Sequence, residues 1–262
     1  MSDTSLILFF STIPIILILV FVYNRDNKKE PISLLLELFL SGIISCFLVI
    51  EISKFLSNYL DFMNLSVKSM DTIKLLLYSF IGVALIEELC KWIMIYIFGY
   101  HSKKFDELFD IIVYSVFVSL GFAFFENIIY IFYNGNLQVA LLRAISAIPA
   151  HACDAIFMGY YLSVAKKNNH KNKKGQEIKY LIISIFIPTV LHGIYDFCLM
   201  SNQMILVYVF IAFVLILYII SIDRLRQMSD NNKKLDYKNK FCENCGTKVT
   251  GDFCDKCGKK QD

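Results

Sequence analysis

Long apolar runs alternate along this chain with short polar connections rich in Lys and Asn. The runs fall near 5–23, 32–54, 72–99, 107–133, 140–165, 178–200 and 203–222. Each is about the length, roughly 20 helical residues, that crosses a hydrocarbon core of about 30 Å. None alternates strictly between apolar and polar positions. They therefore predict helices, because lipid tolerates only helices and closed barrels as spanning backbone. The fold class expected is all-α: a polytopic membrane helix bundle of about seven transmembrane helices over residues 1–223. No repeat at a fixed period and no inverted pair of interrupted helices accompanies them.

Composition agrees: 56% of the 262 residues are hydrophobic, against roughly 45–50% in soluble domains. Charge then orients the runs. The connections holding Arg25, Lys28 and Lys29, then Lys103 and Lys104, then Lys166, Lys167, Lys171, Lys173 and Lys174 all lie on one side. The alternate connections hold Lys68 or, at 133–138 and 201–203, no Lys or Arg. Lys74 and Arg143 sit just inside the following spans and weaken the contrast slightly. By the positive-inside rule the expected topology is N-terminus outside and C-terminus cytoplasmic. The first run has no positive charge before it and three after it, the reverse of a secretory signal, so it reads as an uncleaved anchor. A net charge of +3, with no basic helix interleaved with stacking aromatics, gives no reason to expect a nucleic-acid partner.

After residue 223 the composition shifts. Residues 224–240 read as a charged linker, and 241–262 contain Cys242, Cys245, Cys254 and Cys257 as two C-x-x-C pairs, each followed by Gly. That spacing predicts a zinc ribbon with a closed, structural four-thiolate site. So short a segment has no core, so the metal would supply its folding energy. Paired disulfides are disfavoured by a reducing cytoplasm. A cytoplasmic protein partner is the expected use of such an appendage. Cys46, Cys90, Cys153 and Cys198 stand singly within spans and read as small apolar residues.

The functional information lies in ionisable residues inside the spans, each a functional hypothesis by default. Span three carries Glu87, Glu88 and Lys91; span four Glu126 and Asn127; span five His151 and Asp154; span six His192 and Asp196. On an insertion scale the three charges of span three cost about 7–10 kcal/mol, while its fourteen Leu, Ile, Phe and Val residues return about 4–8. Such a helix must turn that face toward partners. Lys91 is spaced i+4 from Glu87 and i+3 from Glu88, so it can neutralise one acid. Adjacent residues point about 100° apart, so the two glutamates should not share one role. Glu126, His151 and His192 each lie about 12 Å below the outer end of their spans, a common layer. Pro149 should break or kink the helix beside His151 and could admit water or an extended peptide. Asp154 and Asp196 have the spacing of residues that orient the two histidines.

The usual motifs of intramembrane hydrolysis are missing: the chain has no H-E-x-x-H, no G-x-S-x-G and no intramembrane G-x-G-D. What remains is a glutamate pair with histidines. A desolvated glutamate can act as general base on water, with imidazoles and an amide stabilising the oxyanion. E-E-x-x-K on one span, G-F-A-x-x-E-N on the next, and His-containing helices ending in H-x-x-x-D resemble the PrsW family of bacterial intramembrane proteases. That family is related to the type II CAAX prenyl endopeptidases and to bacteriocin-immunity proteins. The resemblance covers about residues 70–200. It implies an eight-helix-like or smaller membrane core and cleavage of a membrane-anchored protein, an anti-sigma factor in the best-known members, cut from the outer side. It also implies that Glu87 and Glu88 are the catalytic pair, with Glu126, His151 and His192 completing the site and Lys91 and Asn127 supporting it. The ribbon lies outside the family pattern.

Three other readings use the same residues. One is a metal-dependent protease with Glu126, His151 and His192 as ligands. The others are a proton- or cation-coupled transporter, and a non-catalytic immunity or scaffold protein that binds through its ribbon.

Overall fold

A computed structural model of the chain describes residues 3–134, 137–201, 203–232, 240–241, 244–245, 247–249 and 256–259. Its first two helices are α1 (Asp3–Arg25) and α2 (Ile32–Ser57). Short 3₁₀ turns at Asp61–Asn64 and Val67–Ser69 lead to α3 (Thr72–Leu77), which Asp71 caps by accepting the Lys74 N–H at 2.9 Å. Helical winding then continues without a break through Tyr100, but not as one α-helix. A π-helical stretch Tyr78–Leu85 precedes α4 (Ile86–Met94), and a second, Ile95–Tyr100, follows it. Next come α5 (Asp110–Asn134), α6 (Leu137–Ile145), α7 (Ala147–His170), α8 (Lys174–Met200) and α9 (Met204–Asp230). Two short strands, Lys240–Phe241 and Lys248–Val249, pair antiparallel in the tail.

Among the described residues, five helical stretches are long and apolar enough to cross a membrane: Ile32–Ser57, Asp110–Tyr130, Leu137–His170, Lys174–Met200 and Met204–Asp230. Phe9–Arg25 is a shorter apolar helix. The stretch expected as span three, 72–99, is helical, but its π interruptions and three charges set it apart from those five. The chain is a multi-pass helical membrane protein.

Packing is inside-out relative to a soluble bundle. On α2 the face toward the protein holds Leu35, Leu38, Ser41, Gly42, Ser45 and Cys46, whereas Leu36, Leu40, Ile44 and Phe47 are exposed. Lipid is as apolar as leucine, so helices associate through close packing of small residues, not through hydrophobic contrast. At the α2–α5 contact a Cβ on Gly42 would lie 2.0 Å from the Val118 carbonyl oxygen, and one on Gly121 would lie 2.0 Å from that of Phe39. Backbone touches backbone there. Helix α5 is central: Ile111, Ile112, Val113, Tyr114, Val116, Val118, Leu120 and Ala123 are all fully buried. It packs against α2 and α7, while α7 pairs with α8, and α8 with the 78–85 stretch.

The expected break near Pro149 is displaced. The helix interrupts at Ser146, between α6 and α7, and Pro149 falls in the first turn of α7, where a missing N–H costs nothing. At the interruption the single Tyr218 O–H is shared between Ile145 O at 2.9 Å and Ser146 O at 3.0 Å, the latter also accepting the Ala150 N–H at 3.0 Å. The segment read as linker from 224 also begins as helix, since α9 runs to Asp230. Its end is pinned to the bundle: Ser229 Oγ donates to Arg25 O at 2.6 Å, and Asn232 Nδ2 to Glu107 Oε2 at 2.6 Å. Of the ribbon cysteines, Cys242 and Cys254 lie outside the described residues.

Adding a methyl at Gly42 or Gly121 must part α2 from α5, and overpacking of this kind costs about 1–3 kcal/mol or more. Gly42→Ala and Gly121→Ala should each lower the melting temperature of the detergent-solubilised protein. Gly175→Ala, where a Cβ meets nothing within 4 Å, should not.

Candidate active site

Helix α4 carries its charges on one buried side. Glu87, Glu88 and Lys91 are 7%, 1% and 1% exposed. The Lys91 ammonium lies 2.8 Å from Glu88 Oε1 and 3.4 Å from Glu87 Oε2, so the one cation serves both acids. It also approaches His151 Nδ1 at 3.2 Å and sits 4.1 Å from the centre of the Phe122 ring. An ammonium can only donate. His151 Nδ1 is therefore the acceptor, and its ring proton is on Nε2, directed at Glu126 Oε2 3.0 Å away. His151 is further anchored through its carbonyl, which accepts the Ser119 hydroxyl at 2.9 Å.

Helix α8 brings His192 to the other side of the pair. Its Nδ1 is 2.8 Å from Glu88 Oε1, and its Nε2 is 3.8 Å from Glu87 Oε2 and 3.6 Å from Asp196 Oδ2. Both ring nitrogens face carboxylate oxygens, an arrangement suited to a donor at each. The imidazoles of His151 and His192 stand edge to face, 5.4 Å apart. Beside His192, Gly193 lets the Phe80 ring of the first π stretch close to where a Cβ would be 2.5 Å away. Trp92 Nε1 donates to Ser184 Oγ at 2.8 Å and ties α4 to α8.

The residues singled out from the sequence thus come together from four helices. Glu87, Glu88 and Lys91 stand on α4, Glu126 and Asn127 on α5, His151 and Asp154 on α7, and His192 and Asp196 on α8. Asn127 is placed one step out: its Oδ1 accepts from Arg143 Nε at 2.6 Å and its Nδ2 reaches Ser11 O at 3.4 Å. The sequence reading missed Arg143, which it took for a marker of the interface. Its guanidinium lies 2.6 Å from Glu126 Oε2 and 4.0 Å from the Tyr130 ring centre. The signal was available, since an arginine inside an apolar run is costly unless paired.

A cavity of about 850 Å³ opens onto this cluster. Glu87, Glu126, His151, Asp154, His192 and Asp196 line it, together with apolar side chains of α6, α9 and the first π stretch. Glu88 is not among the lining residues. The two adjacent acids therefore differ in access.

The cluster also bears on metal binding. Ligand atoms of Glu88, His151, Asp154 and His192 all lie within 4.8 Å of one another, as do those of Glu87, Glu126 and His151. Glu88 Oε2 and Asp154 Oδ1 are buried without a hydrogen-bond partner among the described residues. Two imidazoles with carboxylates are donors of the kind zinc takes, so the first set fits a divalent ion by type and spacing. The Lys91 ammonium competes for two of those donors, Glu88 and His151. The ligand trio read from the sequence, Glu126, His151 and His192, is not the grouping found.

Ionisable side chains thus converge from four helices of a lipid-facing bundle beside a cavity, the arrangement expected of a membrane-embedded enzyme. The chain belongs to the PrsW family: residues 30–220 match the family described as PrsW family intramembrane metalloprotease. It is 35% identical to "Protease PrsW" of Clostridioides difficile over 231 residues, covering 87% of this chain and 93% of that protein. It is 32% identical to that of Oceanobacillus iheyensis, covering 83% and 94%, and 34% identical to that of Bacillus subtilis, covering 71% and 79%. No solved structure matches the chain. These relationships identify a protease and set aside the transporter and scaffold readings.

The Lys91 ammonium is buried between both acids of α4. Removing one partner of a buried pair costs about 3–5 kcal/mol. Lys91→Met should therefore destabilise the folded protein by about that much in thermal or denaturant unfolding. Adding Glu88→Gln to Lys91→Met should recover part of the loss, a coupling that a double-mutant cycle measures.

Proposed function

We propose that the chain cuts a peptide bond of a membrane-anchored protein substrate, with Glu87 activating the attacking water. The observation that carries this reading is the unequal setting of the two glutamates. Glu88 is held at 2.8 Å by both Lys91 and His192 and lies off the cavity, whereas Glu87 lines the cavity and has the longer contacts, 3.4 Å to Lys91 and 3.8 Å to His192. A general base must reach the water whose proton it takes. Glu87 accepts that proton as the oxygen attacks the scissile carbonyl carbon. The oxyanion is stabilised by the His192 Nε2–H at the cavity wall, while His151, its one proton committed to Glu126, holds that carboxylate in place. When the intermediate collapses, the proton held by Glu87 passes to the leaving amine. Glu88 orients His192, while Arg143 and Asn127 orient Glu126 and through it His151.

The substrate class implied by the family resemblance is an anti-sigma factor, cut from the outer side. The arrangement of basic loops supports seven spans with the N-terminus outside and the C-terminus cytoplasmic. Residues 1–223 then carry the protease, 224–240 the connection and 241–262 the ribbon. Cys242, Cys245, Cys254 and Cys257 would hold structural zinc there. The antiparallel pairing of Lys240–Phe241 with Lys248–Val249 folds the chain back around the first cysteine pair, as a ribbon requires. The ribbon is offered to a cytoplasmic partner.

A second reading is favoured by the two orphaned oxygens. Glu88, His151, Asp154 and His192 would hold a divalent metal, which would polarise the scissile carbonyl or lower the pKa of a bound water.

Cleavage of a single-span substrate in proteoliposomes should fall by at least about 10²-fold in Glu87→Gln. Undiminished activity of that variant rules out the proposed base. With the four ribbon cysteines changed to serine, metal analysis of the otherwise intact chain separates the two readings. One equivalent that disappears in His151→Ala supports the metal, and none excludes it.

A further inference from the structure

At the opposite end of α5 lies a second buried group of acids that the proteolytic reaction does not use. Asp110 opens α5 sixteen residues before Glu126, which places it about 24 Å away along the helix axis. Asp26 and Glu30 come from the α1–α2 connection. The three are 0%, 2% and 4% exposed, respectively. Ligand oxygens of Asp26, Glu30 and Asp110 lie within 4.8 Å of one another.

Two of these carboxyl groups are fixed through one oxygen by backbone. Asp110 Oδ2 accepts from the N–H groups of Asp106 and Glu107, at 2.9 and 2.7 Å, and Asp26 Oδ1 from that of Lys28 at 3.2 Å. The fully buried Tyr114 hydroxyl points at the Glu30 carboxyl and is placed to donate to it, which leaves Asp26 Oδ2 and Asp110 Oδ1 as the oxygens with no partner among the described residues. The nearby cations are engaged elsewhere: Lys28 pairs with Asp106, and Lys29 donates to Tyr23 O at 2.5 Å. Burial, then the neighbouring Asp26 and Asp106 carboxylates, push Glu30 up to about 7. Burial likewise raises Asp26.

Among the described residues no cation forms an ion pair with these three buried carboxylates, and a bound positive charge would offset their mutual repulsion. We propose that Asp26, Glu30 and Asp110 form a site for a hard divalent cation, Mg²⁺ or Ca²⁺, distinct from the catalytic cavity. The all-oxygen donor set selects such ions over zinc or copper. Opposite ligands of one ion at about 2.0–2.6 Å are about 4–5 Å apart, in keeping with the spacing here. The Tyr114 hydroxyl is a neighbouring oxygen, and waters complete the shell. The bound ion ties the α1–α2 connection to the start of α5. Through the Asn232–Glu107 hydrogen bond it also supports the end of α9, from which the tail departs.

The test is thermal unfolding of the full chain in detergent, with MgCl₂ or CaCl₂ added at ionic strength matched by NaCl. At about a hundredfold excess over Kd, the melting temperature should rise by roughly 5–10 °C. Glu30→Gln and Asp26→Asn, nearly isosteric changes, should abolish the rise. In the absence of divalent ions near pH 7.5 each should be at least as stable as wild type, because each removes one repelling charge. Glu87→Gln should keep the rise. The proposal is overturned if neither cation shifts the wild type, if both variants retain the full shift, or if the shift disappears in Glu87→Gln.

Discussion

The Lys91 ammonium, buried among Glu87, Glu88, His151 and the Phe122 ring, is the interaction on which the rest of the site depends. A charge at membrane depth is tolerated only when several groups share it, and no single carboxylate suffices for two acids and a lysine one turn apart. The geometry resolves this by drawing in a histidine from each of two other helices. Once Lys91 donates to His151 Nδ1, the tautomer of that ring is set. Its remaining proton is aimed at Glu126, which in turn fixes where Arg143 and Asn127 must be. One buried cation thus propagates an order of protonation and orientation across α4, α5, α6 and α7.

Such a cluster needs helices that do not slide. The close backbone approach of α2 and α5 at Gly42 and Gly121 supplies a rigid wall, and α7 extends it, with Gly159 so near Ile112 that a Cβ would lie 2.7 Å from its Cα. Helix α4 is held differently. It is α-helical only over the nine residues carrying the acids, between two π stretches. A π turn widens the helix and shifts the side chains beyond it around the axis, a distortion found often at functional sites. Here it sets the angular position of Glu87, Glu88 and Lys91 apart from that of the flanking apolar turns.

Much of this was legible in the sequence, because the cost of an intramembrane charge makes each one informative. Glu87, Glu88, Lys91, Glu126, His151, Asp154, His192 and Asp196 all stood out as charges or imidazoles in apolar runs. The i+3 and i+4 spacing put Lys91 within reach of the glutamates but was read as neutralising one acid, whereas the ammonium contacts both and His151 as well. What periodicity could not give was the winding of 72–100, since π and α stretches carry the same apolar composition. It also misjudged Arg143, whose neighbours in sequence are interfacial while its partners lie sixteen and seventeen residues back on α5. Pro149 was read as a break, yet the chain interrupts three residues earlier. A proline in the first helical turn needs no N–H, and a tyrosine from α9 shares its one O–H between two carbonyls at the interruption. Asp110 gave no signal in the sequence, because its companions, Asp26 and Glu30, come from a connection more than seventy residues away.

The adjacency of the two glutamates is best understood as a division of labour imposed by helical geometry. Consecutive residues on a helix point about 100° apart, so a pair at a bundle surface places one carboxylate inward and its neighbour toward the groove. The inward one, Glu88, exchanges its basicity for anchorage, since two donors already share a single oxygen. The outward one retains a lone pair facing the cavity while still feeling the same ammonium, which limits how far its negative charge must be stabilised by water. An anchor and a base from successive residues also keep their relative positions fixed by one backbone, with no loop between them to loosen. In the proposed reaction, that fixed separation would keep Glu87 at one distance from the water it activates, because a single backbone carries both the base and its anchored neighbour.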